Sequence, residues 1–183
     1  MAKRKIYTRV GDKGKTFLAN GKKVSKDSLE IQTLGAIDEL NASIGVAASF
    51  IKEKHIVQLL QDIQNDLLNI GAEIGNDGQS IKNTSKLYPI DKDKIVKLEH
   101  YIDLYDKKLP NLQTFIIPSG KREFALLNLS RTVCRRAERD LVSLSKKRKV
   151  NQDILSYFNR SSDLLFVLAR YLNNGQEKLW ERR

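Results

Sequence analysis

The sequence predicts an all-α protein, an up-and-down bundle of five helices, and three observations lead there. Apolar residues recur at three- and four-residue spacing through most of the chain after residue 28. The alternation that a half-buried strand needs appears nowhere at useful length. Glycine- and proline-bearing links separate one periodic stretch from the next, as links between antiparallel helices do.

The first helix is expected from about Leu29, with Ile31, Leu34, Leu40, Ile44, Ala47 and Ile51 on one face, slightly weakened by Gly35 and Gly45. The second carries an unbroken stripe, Ile56, Leu59, Leu60, Ile63, Leu67, Ile70 and Ile74, until Gly75, Asp77 and Gly78 stop it. Residues 78–89 read as a loop. Asp91 caps a shorter third helix carrying Ile95, Leu98, Ile102 and Tyr105. Leu109-Pro110 ends it, because the residue before a proline is pushed away from helical angles. After a connection over residues 111–119, a fourth helix runs from near Ser119 beyond Leu144, and Lys146 to Lys149 form a basic hinge. The fifth starts near Asp153, with Ile154, Phe158, Leu165, Leu168 and Leu172 on one face. Residues 1–183 therefore read as one domain: a polar, glycine-bearing segment over 1–28, the bundle over 29–175 and a tail over 176–183.

Composition narrows the function. With 33 Lys and Arg against 22 Asp and Glu, the net charge of +11 favours anionic partners such as polyphosphates, nucleic acid or acidic membranes. A single cysteine, Cys134, excludes a disulfide framework and a multi-cysteine zinc site, and fits a reducing cytoplasm. The longest apolar stretch, Leu164 to Ala169, is far short of the ~18 residues that a membrane span needs. The N-terminal cations precede no apolar segment, so no removable leader is expected and the protein is placed in the cytoplasm. His55 and His100 stand in no Glu-x-x-His pair and in no zinc spacing, and give a Ser-His-Asp arrangement little support.

Three polar constellations remain. The segment from Tyr7 to Thr16 ends in Gly-Lys-Thr, yet only Asp12 and Lys13 separate Gly11 from Gly14, where a Walker A loop needs four residues. Its parts still suit a polyphosphate: two glycines allow close backbone approach, Thr8 and Thr16 offer hydroxyls, and Lys15 and Lys26 offer compact charge. A solvated basic tail is the competing reading. The second constellation lies on the fourth helix. At about 100° per residue, Arg131, Arg135 and Glu138 fall within roughly 60° of one another, beside an apolar face of Leu126, Val133, Ala137 and Leu141. Charge beside core marks a groove, although a ladder pairing Arg135 and Arg139 with Glu138 and Asp140 explains the same residues. Cys134 reads as a buried structural thiol. The third is Asn159-Arg160-Ser161-Ser162-Asp163, which interrupts the apolar pattern of the fifth helix: Asn159 has an amide for a base, ribose or phosphate. Asp38, just off the first helix's stripe, is a surface carboxylate or a partner for an arginine across an interface.

Five segments, TRVGDKGKT, LGAIDELNASIG, FIIPSG, RTVCRRAERD and FNRSSDLLFVLARYLN, taken in order from Thr8 to Asn173, resemble the PduO-type ATP:corrinoid adenosyltransferases. The resemblance implies a five-helix bundle assembled as a homotrimer, with three active sites between neighbouring subunits. It implies transfer of the adenosyl group of ATP to cobalt(I) of cobalamin or a related corrinoid, with triphosphate leaving and Mg²⁺ in attendance. Residues 1–28 become an ATP-binding loop, with Thr8, Arg9, Val10, Gly11, Thr16 and Lys26 as its wall. Arg135, Arg136, Glu138, Arg139 and Asn159 come from the neighbouring chain, and Arg131 pairs with Asp38 at the interface. Phe115, whose plain reading is core packing, becomes an aromatic wedge against the lower face of the corrin, displacing the axial base. No protein ligand for a metal is assigned. A corrinoid reductase and an adenosylcobalamin-dependent acceptor enzyme follow as partners. Val10 departs from the threonine or serine common in the family, and the end at Trp180-Glu181-Arg182-Arg183 leaves no residue assigned to close over the corrinoid. The reading from another class is a basic helical module that binds nucleic acid without catalysis. It is weakened by an aromatic content of 7% without basic-aromatic interleaving. A purely structural bundle is the third.

Overall fold

A computed structural model of the chain describes residues 7, 9–76 and 89–181, so the candidate Thr8 and residues 78–88 of the expected loop lie outside the described residues. Helix α1 spans Leu29–Ala48, α2 Lys54–Gly75, α3 Lys92–Asp106, α4 Arg122–Ser145 and α5 Gln152–Leu172. Side chains just ahead of three helices fix their starts. Ser28 Oγ accepts from Ile31 N at 3.5 Å, Asp91 Oδ1 from Lys94 N at 3.1 Å, and Asn151 Oδ1 from Asp153 N at 3.1 Å. Each cap satisfies an amide that its helix leaves without an acceptor. The fourth helix begins at Arg122 instead of near Ser119. Gly120 stands at φ 148°, far from helical angles, with Asn173 Oδ1 3.4 Å from where its Cβ would lie.

The helices pack in the sequence α2–α1–α4–α5–α3. The predicted stripes supply most of the core: Leu40 and Ile44 of α1, Leu60, Leu67 and Ile70 of α2, Leu141 of α4, and Phe158, Leu165 and Leu168 of α5 are wholly buried, whereas on α4 Leu127 is wholly buried and the expected Leu126 only partly so. Each such side chain contributes about 1.5–3 kcal/mol relative to exposure. Between Ser161 and Arg170, α5 leaves only Asp163 and Phe166 unburied, because α3 and α4 both cover it. Several hydroxyl and amide groups in the core bond back to their own helix: Thr33 Oγ1 donates to Leu29 O at 2.8 Å, Asn128 Nδ2 to Phe124 O at 3.0 Å and Ser130 Oγ to Leu126 O at 3.0 Å. Among the described residues no helix is long and apolar enough to cross a membrane.

Two small antiparallel ribbons depart from the expectation of a strand-free chain. Strand β1 (Lys15–Phe17) pairs with β2 (Lys23–Ser25), and β3 (Ile116–Ile117) pairs with β4 (Lys178–Leu179). Strands of two or three residues are too short to display alternation. The first ribbon is anchored by the buried Leu18 and by Ala19, which packs against Gly75 at the end of α2.

Candidate active site

The basic face of α4 opens on a cleft of about 430 Å³ lined by Arg135, Glu138, Arg139, Val142 and Ser143. Burial of Val133, Ala137 and Leu141 against the core turns Arg135 and Arg139 to solvent and leaves Glu138 at the boundary. Glu138 is held from α5, where Asn159 Nδ2 donates to its Oε1 at 3.3 Å. Asn159 Oδ1 in turn accepts from Arg160 Nη1 at 2.7 Å, and Arg160 Nε donates to Glu99 Oε1 of α3 at 2.7 Å. The hydrogen bond to Glu99, outweighing partial burial, holds the Arg160 guanidinium above its ordinary range. This chain of bonds fixes the Asn159 amide and the Glu138 carboxylate at the cleft wall. The ladder foreseen for Arg135 and Arg139 takes another form: Arg139 Nη1 donates to the Arg135 carbonyl at 3.2 Å. Arg136 points away from the cleft lining and forms an ion pair with Glu39 of α1. Cys134 is fully buried, and its Sγ donates to Phe158 O at 3.4 Å. Burial, reinforced by the charge of Glu138, pushes this thiol far above its ordinary range, as suits a structural group.

Arg131, one turn ahead of Arg135, is among the buried side chains with an unpaired polar atom, along with Ser161 and Asn173. Its Nε is buried with no hydrogen-bond partner, and its guanidinium carbon lies 5.5 Å from the centre of the Phe166 ring. Burial, then the neighbouring charge of Arg135, lowers its pKa. Within this chain Asp38 is exposed on α1 and makes no ion pair with Arg131.

The N-terminal candidates form a separate surface. Arg9 adopts φ 59°, rare for a residue with a Cβ, and its carbonyl accepts from Asp12 N at 3.4 Å; a tight turn follows in which Gly14 N donates to Gly11 O at 3.2 Å. Lys26 crosses this turn: its Nζ lies 3.0 Å from where a Gly11 Cβ would be, and its backbone N donates to Gly14 O at 2.9 Å. A side chain at Gly11 would therefore displace the lysine. Val10 is exposed, and Thr16 sits in the middle of β1. Among the described residues, no hydrogen bond or ion pair joins residues 9–26 to Arg135, Arg136, Glu138, Arg139 or Asn159.

Phe115 is not a core residue: it is 81% exposed, immediately before β3. The Trp180 ring meets it edge-on at 6.5 Å between centroids, and Trp180 N donates to Phe115 O at 2.8 Å. Sequence reasoning left Trp180 unassigned, and a two-residue ribbon between segments more than sixty residues apart leaves no periodic signal that would have found it.

The chain has known relatives. The family model for cobalamin adenosyltransferase matches residues 6–172. A cobalamin adenosyltransferase of Cupriavidus metallidurans is 40% identical over 182 residues, covering 97% of this chain and 95% of that protein. A human corrinoid adenosyltransferase is 37% identical over 182 residues, covering 96% of this chain and 73% of that protein. Among solved structures, a variant PduO-type ATP:corrinoid adenosyltransferase from Lactobacillus reuteri, complexed with cobalamin and ATP, matches with a TM-score of 0.88 at 32% identity, over 97% of this chain and 100% of that one. A second variant of that enzyme, complexed with ATP, matches with a TM-score of 0.85 at 32% identity, over 96% and 100%. The bundle, the basic cleft and these likenesses agree, and the chain belongs to the cobalamin adenosyltransferase family.

Proposed function

We propose that the adenosyl group of ATP passes to the cobalt of a corrinoid in a cleft completed by two copies of this chain, one giving residues 8–26 and the other the α4–α5 face. The observation that carries the reading is the separation of the two surfaces within one chain, together with the buried, partnerless Nε of Arg131. A homotrimer with three such clefts satisfies both, with Arg131 pairing to Asp38 of the partner subunit. Residues 1–28 then serve as the ATP loop. Family membership favours catalysis over a nucleic-acid-binding module.

Cobalt(I) attacks the ribose carbon that bears the triphosphate: a cobalt–carbon bond forms, the carbon–oxygen bond breaks, and triphosphate leaves with the electron pair. No proton moves. The protein's work is alignment and stabilisation of charge on the departing group. Arg135, Arg139 and Lys26, with the backbone N–H groups of Val10 and Gly11, receive that charge, while Thr8, Arg9 and Thr16 complete the loop's wall. Glu138 and Asn159, held by their mutual bond, orient the nucleotide. Arg136 joins the wall on releasing Glu39. Mg²⁺ is carried in on the triphosphate as part of the substrate. The exposed Phe115 ring is the wedge that displaces the axial base from cobalt(II), easing reduction to cobalt(I). A corrinoid reductase in the cytoplasm supplies the electron, and an adenosylcobalamin-dependent enzyme accepts the product.

Incubation with ATP, Mg²⁺ and chemically reduced cobalamin should convert the corrinoid spectrum to that of adenosylcobalamin. Absence of turnover, with tight binding to nucleic acid that falls steeply with salt, would replace this reading by the binding module. Light scattering should give roughly three times the 20.9 kDa chain mass, and a fully active monomer would refute the shared cleft.

A further inference from the structure

The end of α5 is fastened to the Phe115 connection by groups that adenosyl transfer does not use. Arg170 is 3% exposed. Its Nε donates to Glu177 Oε1 at 2.7 Å, and its Nη2 donates to the Pro110 carbonyl at 2.7 Å. Only 4% and 2% of the Arg170 and Glu177 side chains are exposed, so this is a buried ion pair in which loss of Arg170 strands the Glu177 charge, while Arg170 has a second, more distant carboxylate in Asp106 at 3.9 Å. The two bonds reach both sides of one ribbon. Pro110 opens the connection that carries Phe115, and Glu177 stands directly before β4. In the ribbon Ile116 faces Leu179 and Ile117 faces Lys178, and the bond from Trp180 N to Phe115 O continues the pairing. The turn between α5 and β4 is fitted to the same place. Asn174 and Gly175 take φ 57° and 66°, and a Cβ on Gly175 would lie 2.9 Å from Pro110 Cδ. Phe115, at 81% exposure, has no core to hold its ring. A ribbon this short does not hold itself either.

We propose that the buried Arg170–Glu177 pair is the positioning device for Phe115, setting the ring at the corrinoid through Pro110, β4 and Trp180. The proposal rests on the reading of Phe115 given above. Arg170 and Glu177 are positioning residues, because burial keeps both from any substrate. An exposed ring fixed in advance spends less conformational freedom on docking and meets the corrin in one pose.

Two variants test this. Glu177→Gln keeps the shape and removes the charge, and Trp180→Ala removes a ring that is 49% exposed without opening a core cavity. Trp180 is the single tryptophan, so its fluorescence reports β4 alone. In Glu177→Gln, acrylamide should quench Trp180 more strongly than in wild type. In both variants the four-coordinate cobalt(II) resonance with ATP should weaken, and turnover starting from cobalt(II) should fall roughly 10- to 100-fold. ATP affinity and turnover from chemically made cobalt(I) should be largely kept. If Glu177→Gln does not fold, Trp180→Ala alone decides. Equal losses from cobalt(II) and cobalt(I), or an undiminished four-coordinate signal in both variants, would overturn the proposal. Phe115→Ala runs alongside: if it shows no difference between the two assays, the reading of Phe115 falls and takes this proposal with it. If it shows the difference and the other two variants do not, the positioning role alone is wrong.

Discussion

Two polar clusters of this molecule keep their charges in different company. In a cleft of about 400 Å³ between α2 and α3, Asp66 pairs with Lys94 and accepts from Tyr157 OH at 2.9 Å, while Lys97 Nζ donates to Asp62 Oδ2 at 3.0 Å. Each of those four charges meets its opposite inside the chain. On α4, Arg131 has a buried Nε without an acceptor, and Arg135 and Arg139 are exposed along an open cleft. Satisfied charge costs little and closes a structure, whereas unsatisfied charge beside a core is retained at a cost in stability and points to something that arrives later. The first cluster is a clasp, and the second is the candidate site.

Substitutions that separate stability from turnover sharpen the contrast. The largest effect is expected at Arg135, where lysine keeps the charge but loses the planar fork. Loss of one charge-assisted hydrogen bond should cost about 1.5–3 kcal/mol, roughly 10- to 150-fold in ATP affinity or rate, with an unchanged urea midpoint. Steady-state kinetics that match wild type would move Arg135 to the surface. In the clasp, Tyr157→Phe deletes the hydroxyl that bonds Asp66. It should cost about 0.5–1.5 kcal/mol of stability in urea titration and leave kcat per folded molecule unchanged. A selective loss of activity would make the clasp a second site.

The smallest effect belongs to Asp62. Burial raises this carboxyl, but hydrogen bonds from Gln58 and Lys97 and the charges of Lys97 and Lys94 outweigh it, so its pKa lies below the ordinary 3.8. A depressed folded value means that the contribution is present above 3.8 and fades as pH falls through the folded value. With the Asp62 and Lys97 side chains 40% and 54% exposed, solvent screening limits it to less than about 1 kcal/mol. The stability difference between wild type and Asp62→Asn should therefore be small at neutral pH and shrink below pH 4. A difference that grows on acidification would contradict the assigned sign.

The bundle was legible because burial follows a three-and-four period, and Leu60, Leu141 and Leu168 lie where that period puts them. Asp91 was legible as a cap because its chemistry is local. The geometry of the candidate site was legible in part. Arg135, Glu138 and Asn159 do come together, since α4 and α5 pack along their length. Within one chain Arg131 Nε has no hydrogen-bond partner, so the pairing with Asp38 expected from the resemblance is not formed there. Arg170, Glu177 and Trp180 were missed for another reason: a buried pair and a ribbon of two residues have no periodicity, and only folding brings Pro110 to Gly175.

The shared cleft is the central claim, and subunit mixing tests it most directly. One chain carries Arg9→Ala with Lys26→Ala, and a second carries Arg135→Ala with Arg139→Ala. Alone, each should be nearly inactive. Refolded together in equal amounts, they should recover about a quarter of the wild-type rate, because one neighbour combination in four joins an intact loop to an intact α4 face. Mixed trimers, verified by differently tagged chains, that recover nothing above the separate variants would place the whole site within one chain.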